Sequence, residues 1–145
     1  MRYIISSAMI IFLFGSPVSY AAEDGRQLVD LPEHMRSHML ASMRDHLATI
    51  NEIQAELAKG EYDKAADTAE HRLGMSSLDA HNASHMAPFM PKAMQETGTK
   101  MHHAASRFAR TAQEVAVNGK LATALESLSQ VTQQCVACHA AYRIH

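Results

Sequence analysis

Near the end of the sequence, Leu121, Leu125, Leu128 and Val131 recur at steps of three and four, and the same steps continue through Cys135, Cys138 and Tyr142. That spacing places all seven side chains on one side of an α-helix running from about Lys120 to Arg143. The stripe that would bury such a helix passes without interruption into a pair of thiols. The residues around them read Cys135-Val136-Ala137-Cys138-His139. Two cysteines three apart, followed at once by a histidine, form the attachment signature of a c-type haem, in which both sulfurs bond to the porphyrin and the imidazole ligates the iron. On a helix, positions i and i+3 share a face, so both thiols can meet one edge of a flat macrocycle while the next residue projects toward its centre. A redox dithiol is expected beside a βαβ pattern, and a zinc finger needs a second ligand pair. Neither accompanies this motif, and the chain holds no other cysteine.

The rest of the chain is patterned as helices that could enclose such a group. Asp30 and Glu33 resemble a capping box, Pro32 sits in the first turn, and Gly60 is a stop signal, so the first helix is expected from Asp30 to about Lys59. Leu40, Met43, Leu47, Ile50, Ile53 and Leu57 mark its apolar stripe, with Arg36 at its N-terminal side. A second, weaker helix is expected over Tyr62 to Leu73, with Ala65, Ala66 and Ala69 as a small-residue face and Gly74 closing it. Residues 75 to 91 are irregular, broken by Pro88 and Pro91, with a short helical turn expected around Ser77 to His85. A third long helix should run from near Pro91 to the Asn118-Gly119 turn, burying Met94, Met101, Ala105, Phe108, Ala112 and Val115. Four amphipathic segments with mostly short connections predict an all-α fold, an antiparallel four-helix bundle holding one covalently attached haem between its helices.

Residues 1–21 read as a secretory signal peptide. Arg2 supplies the positive start, and Ile4 to Gly15 is an apolar run of signal length, too short for a comfortable membrane span. Residues 22–145 then form one haem domain, periplasmic and soluble after cleavage, since haem is attached on the outer side of the bacterial inner membrane. Removing Arg2 takes the formal charge from -2 to about -3, which gives no electrostatic case for nucleic acid as a partner. No Ser-His-Asp, phosphate-loop or paired-carboxylate arrangement argues for a conventional enzyme.

The signal segment, the four helices and the C-terminal Cys135-x-x-Cys138-His139-x-x-Tyr142-Arg143 together resemble the cytochrome c-prime family and its low-spin relatives. The resemblance spans the whole mature chain. It implies that Cys135 and Cys138 are the thioether sites of haem c, that His139 is the proximal iron ligand, and that Arg143, one helical turn beyond, lies near the haem edge or a propionate. Family members also carry an arginine in the first helix and, four residues later, the residue over the distal face. Arg36 fits that arginine, as a second propionate contact, with Leu40 in the distal pocket. Measured back from Ala58-Lys59-Gly60, the distal position falls instead near Met43, with Met39 one position from Leu40. His38 and His46 are expected on an exposed face.

A methionine opposite His139 would saturate the iron and raise its potential, giving a one-electron carrier that meets redox partner proteins. An apolar distal residue would leave room for a diatomic gas, nitric oxide or carbon monoxide. A homodimer is compatible with either. A further alternative is copper, because His81, His85, Met86, Met90 and Met94 bring imidazole and soft ligands together at helix-like spacing. The opposing expectation is that these methionines line the haem pocket and that His81, His85, His102 and His103 face solvent.

Overall fold

The computed structural model describes residues 24–145. The expected signal segment lies outside the described residues. The described chain is all-α apart from one two-residue strand pair. The first helix, α1, spans Glu33–Lys59. It starts later than Asp30, with Pro32 at the N-cap and no side-chain cap, so the expected Asp30–Glu33 box does not form. Its end matches expectation. Gly60 adopts φ 75°, and the Gly60 and Glu61 amides donate to the carbonyls of Leu57 and Glu56, a Schellman ending that needs a residue free to be left-handed.

Helix α2, Tyr62–Arg72, turns back onto α1 after the two residues Gly60 and Glu61. Its alanine face, Ala65, Ala66 and Ala69, is buried as the pattern predicts. Small side chains let the neighbouring helices approach closely. Arg72 ties the end of α2 to α1 by donating to Asp45 and Glu52, at 2.6 Å each. Beyond α2 the chain holds a 3₁₀ turn at Met75–Ser77, the single-turn helix α3 at Ala83–Met86, and another 3₁₀ turn at Ala87–Phe89.

Helix α4, Lys92–Asn118, opens after Pro91 and ends at Gly119, φ 71°. All six residues expected to be buried on it are buried, together with His102, Ala104, Ser106 and Ala109. The wider buried face has a simple cause, because α4 packs against both α2 and α5. Helix α5, Leu121–Ala141, returns along α4 after Gly119 and Lys120. It stops short of the expected Arg143. Tyr142 turns to φ -129°, ψ 150°, and the strand β2, Tyr142–Arg143, pairs in parallel with β1, Gln27–Leu28, a ladder extended by the Val29 amide donating to the Arg143 carbonyl at 2.8 Å. Arg143 therefore leaves the helix, and is not a helical turn beyond His139.

The buried apolar residues form two groups. The larger runs through α1, α2, α4 and α5 around Phe108, Ile53, Leu57, Leu73, Leu128 and Val131. The smaller gathers Val29, Leu31, Met86 and Met94, with Met35, Met39, Cys138 and Tyr142 against it. The stripe of α1 divides accordingly. Ile53 and Leu57 are in the larger core, whereas Leu47, expected to be core, is 72% exposed. Among the described residues, no helix is long and apolar enough to cross a membrane.

Candidate functional site

A cavity of about 520 Å³ lies between the two cores, within the range of roughly 300–1,000 Å³ usual for cofactor sites. Its walls come from four parts of the chain: the first half of α1, residues 73–90, the start of α4 and the end of α5. Leu73, Met101 and Val131 belong to the larger core, and Met86 and Met94 to the smaller. The exposed Leu47 also lines it, so the first half of the α1 stripe faces a cavity where the second half faces packed side chains.

Cys135, Cys138 and His139 all line this cavity. The two thiols are free and half-buried, and Cys135 Sγ contacts the Val131 carbonyl at 3.7 Å. Burial pushes both thiols up from their ordinary range, and for Cys138 the charge of a Cys135 thiolate adds to the effect. They are held as thiols at neutral pH, unlike the electropositive setting that activates a redox cysteine. Among the described residues, no disulfide forms between them.

Of the candidates for the opposite wall, Met39 and Met43 line the cavity and Leu40 does not. Met39 and Met43 stand one turn apart on a shared face, and Leu40 is rotated about 100° from Met39. The register that put Leu40 over the cavity is thereby corrected. Arg36 and Arg143 do not line the cavity either. Arg36 Nη2 donates to the Leu31 carbonyl at 3.3 Å, and Arg143 Nη1 donates to that of His145 at 3.1 Å. Each still has a buried Nε with no hydrogen-bond partner among the described residues; the Asp24 carboxylate stands 3.7 Å from that of Arg143. A buried guanidinium N–H left so is a donor suited to an anionic oxygen.

The histidines depart furthest from expectation. His38 and His46, assigned to an exposed face, are half-buried on the cavity wall, where His81 and the buried His102 join them. His46 Nε2 and His81 Nε2 are 3.3 Å apart, and His38 Nε2 donates to the His81 carbonyl at 3.1 Å. Burial, with the neighbouring His81 and His102, drops His46 to about 4. His81 and His102 are lowered chiefly by burial as well. The copper grouping drawn from sequence is split, since His81, Met86, Met90 and Met94 line the cavity while His85 is exposed and does not. His103 is exposed as expected.

No protein-family model matches the chain, and neither a curated protein nor a solved structure is similar to it.

Proposed function

We propose that this chain is a periplasmic monohaem c-type cytochrome, an antiparallel four-helix bundle of the cytochrome c-prime kind, acting as a one-electron carrier. One observation carries the reading: Cys135, Cys138 and His139 share a single cavity with Met39 and Met43, which lie on a different helix. Side chains on facing helices are how such bundles hold a cofactor. The donor set suits haem, with paired thiols for covalent attachment, an imidazole beside them and a thioether-rich opposite wall.

Cys135 and Cys138 would hold the haem covalently, each by adding its S–H across a vinyl group. No electrons are lost or gained in that step. His139, beside the thiols, would supply an imidazole nitrogen to the iron. Bound haem iron supplies the one-electron couple. Met43, or Met39 one turn away, would offer the iron a thioether from the facing helix, a donor that favours the reduced state and competes with exogenous ligands. The many apolar side chains around them would lower the local dielectric, a further lever on the potential.

A pyridine haemochrome assay of the exported protein should give one c-type haem per chain, absent in Cys135→Ser with Cys138→Ser; no such signal in the parent protein rejects the reading. The ferric visible and electron paramagnetic resonance spectra should be low-spin, turning high-spin in Met43→Ala or Met39→Ala. A five-coordinate, high-spin spectrum in the parent, unmoved by either change, would replace the carrier with a protein that binds a diatomic gas.

A further inference from the structure

His46 on α1, His81 in the irregular segment and His102 on α4 come from three separate parts of the fold, and their rings meet on one wall of the cavity. Their ring centres are 4.6 Å (46 to 81), 5.5 Å (81 to 102) and 6.4 Å (46 to 102) apart. The hydrogen bonds behind the rings say which nitrogens are free. His102 Nδ1 is 2.8 Å from the Leu73 carbonyl. A carbonyl only accepts, so the His102 proton is on Nδ1 and the lone pair on Nε2. Ser77 has a single hydroxyl proton and gives it to the Gly74 carbonyl at 2.7 Å. Its oxygen therefore accepts from His81 Nδ1, 3.4 Å away, and the His81 lone pair is also on Nε2. His38 fixes the same residue from its other side by donating to the His81 carbonyl.

Orienting each ring through the nitrogen that does not bind is how proteins prepare imidazoles for a metal. The spacing agrees. Two nitrogens held at about 2.0–2.1 Å by a tetrahedral ion stand roughly 3.3 Å from each other, with ring centres roughly 5.2 Å apart. The His46 and His81 Nε2 atoms are 3.3 Å apart. Among the described residues, no three of His, Cys, Asp and Glu already surround a common point. The His102 ring stands too far off, 6.4 Å from that of His46, and the His46–His81 contact holds a proton. With a lone pair on His81 Nε2, the His46 Nε2 proton lies between the two nitrogens, where an ion would sit. Moving that proton to His46 Nδ1 frees the position, and His102, the most distant ring, closes by an amount on the order of 1 Å.

We propose that His46, His81 and His102 bind one divalent late transition-metal ion, of the zinc and copper class, through their three Nε2 atoms, with the fourth position open to the cavity. Three neutral imidazoles and no carboxylate suit zinc or copper over magnesium or calcium. The site uses neither thiol nor His139, although its residues line the same cavity.

The test is calorimetric titration of the purified exported protein with Zn²⁺, and electron paramagnetic resonance of its Cu²⁺ complex. One equivalent of Zn²⁺ should bind, and the copper signal should carry hyperfine coupling to three nitrogens. His46→Gln and His81→Gln, at half-buried positions that tolerate a polar side chain, should each weaken Zn²⁺ binding more than ~100-fold, and Ser77→Ala about 10–100-fold by loosening the His81 ring. His85→Gln and His103→Gln, at exposed positions, should leave it unchanged. Circular dichroism confirms that each variant keeps its helices. Failure of the parent to bind one equivalent overturns the proposal, as does undiminished binding in both His46→Gln and His81→Gln. So does loss of binding in His85→Gln, which would move the ion to the exposed end of the irregular segment.

Discussion

Acidification should act on this fold through its buried imidazoles, and His46 allows the size of the effect to be worked out. In the unfolded chain its ring takes up a proton near 6.5, whereas in the folded protein burial and the adjacent His81 and His102 hold it neutral down to about 4. Between those two values the unfolded form binds more protons, so stability falls as the pH falls, and below about 4 this group contributes no further change. A gap of roughly two and a half pH units at about 1.36 kcal/mol per unit gives about 3 kcal/mol, or about 2 kcal/mol after allowing for partial exposure to solvent. That is a large fraction of the ~5–15 kcal/mol that holds a domain of this size together. The assay is urea unfolding at half-unit steps from pH 7 to pH 4, without added metal, on the parent protein and on His46→Gln. Asp24 and Glu70, also held below their ordinary values, are present in both proteins and cancel in the difference. The gap between the two stability curves should shift by about 2 kcal/mol across the window, the parent losing more. Curves that stay parallel within ~0.5 kcal/mol would show that His46 is not buried as described.

Two further perturbations probe the scaffold. Phe108, fully buried where α4 meets its neighbours, should cost about 3–5 kcal/mol when changed to alanine, lowering the urea midpoint at unchanged slope; a loss below ~1 kcal/mol would be incompatible with its place in the core. Gly60 holds a left-handed backbone with open space where a Cβ would go, so Gly60→Ala should cost about 1–2 kcal/mol by conformational strain alone, measured by the same unfolding, and Gly60→Asn clearly less. Equal effects of Ala and Asn would contradict the left-handed ending of α1.

The helices themselves were legible because their ends carry strong local chemistry. Gly60 and Gly119 stop α1 and α4 where the sequence puts them, and Pro91 immediately precedes α4. Cys135, Cys138 and His139, grouped by spacing in the sequence, do line one cavity. What was not legible depended on which neighbour a face meets. On α1 the steps 39, 43, 46, 50, 53, 57 are as regular as 40, 43, 47, 50, 53, 57, and hydropathy alone favoured the second, putting Leu47 inward and His46 out. The structure buries more of His46 than of Leu47. A signal for His102 was present in the small residues Ala104, Ser106 and Ala109, which widen the apolar face of α4 beyond a single stripe and mark a helix with two neighbours. Nothing local could show that Tyr142 would leave the helix, since its partner strand, Gln27–Leu28, lies more than a hundred residues away.

The cavity has a cause in the lengths of the helices. At 1.5 Å per residue, α1 and α4, of 27 residues each, extend about 40 Å, while α2, of 11 residues, extends about 16 Å. Over the remaining length α1 and α4 have no regular neighbour on that side, and residues 73–91 become the wall. That segment faces the interior with Leu78, His81, Met86 and Met90. Methionine, unbranched and polarizable, fills irregular space in a way that β-branched residues cannot, and it is dense on this wall and on the facing turns of α1. The same break in helical regularity that opens the cavity also brings His81 between His46 and His102. A second helix long enough to pair with all of α1 would have closed the cavity and carried His81 out of reach of both. The two proposed sites, for haem and for a metal ion, therefore depend on one feature of the chain: the early end of α2 at Arg72.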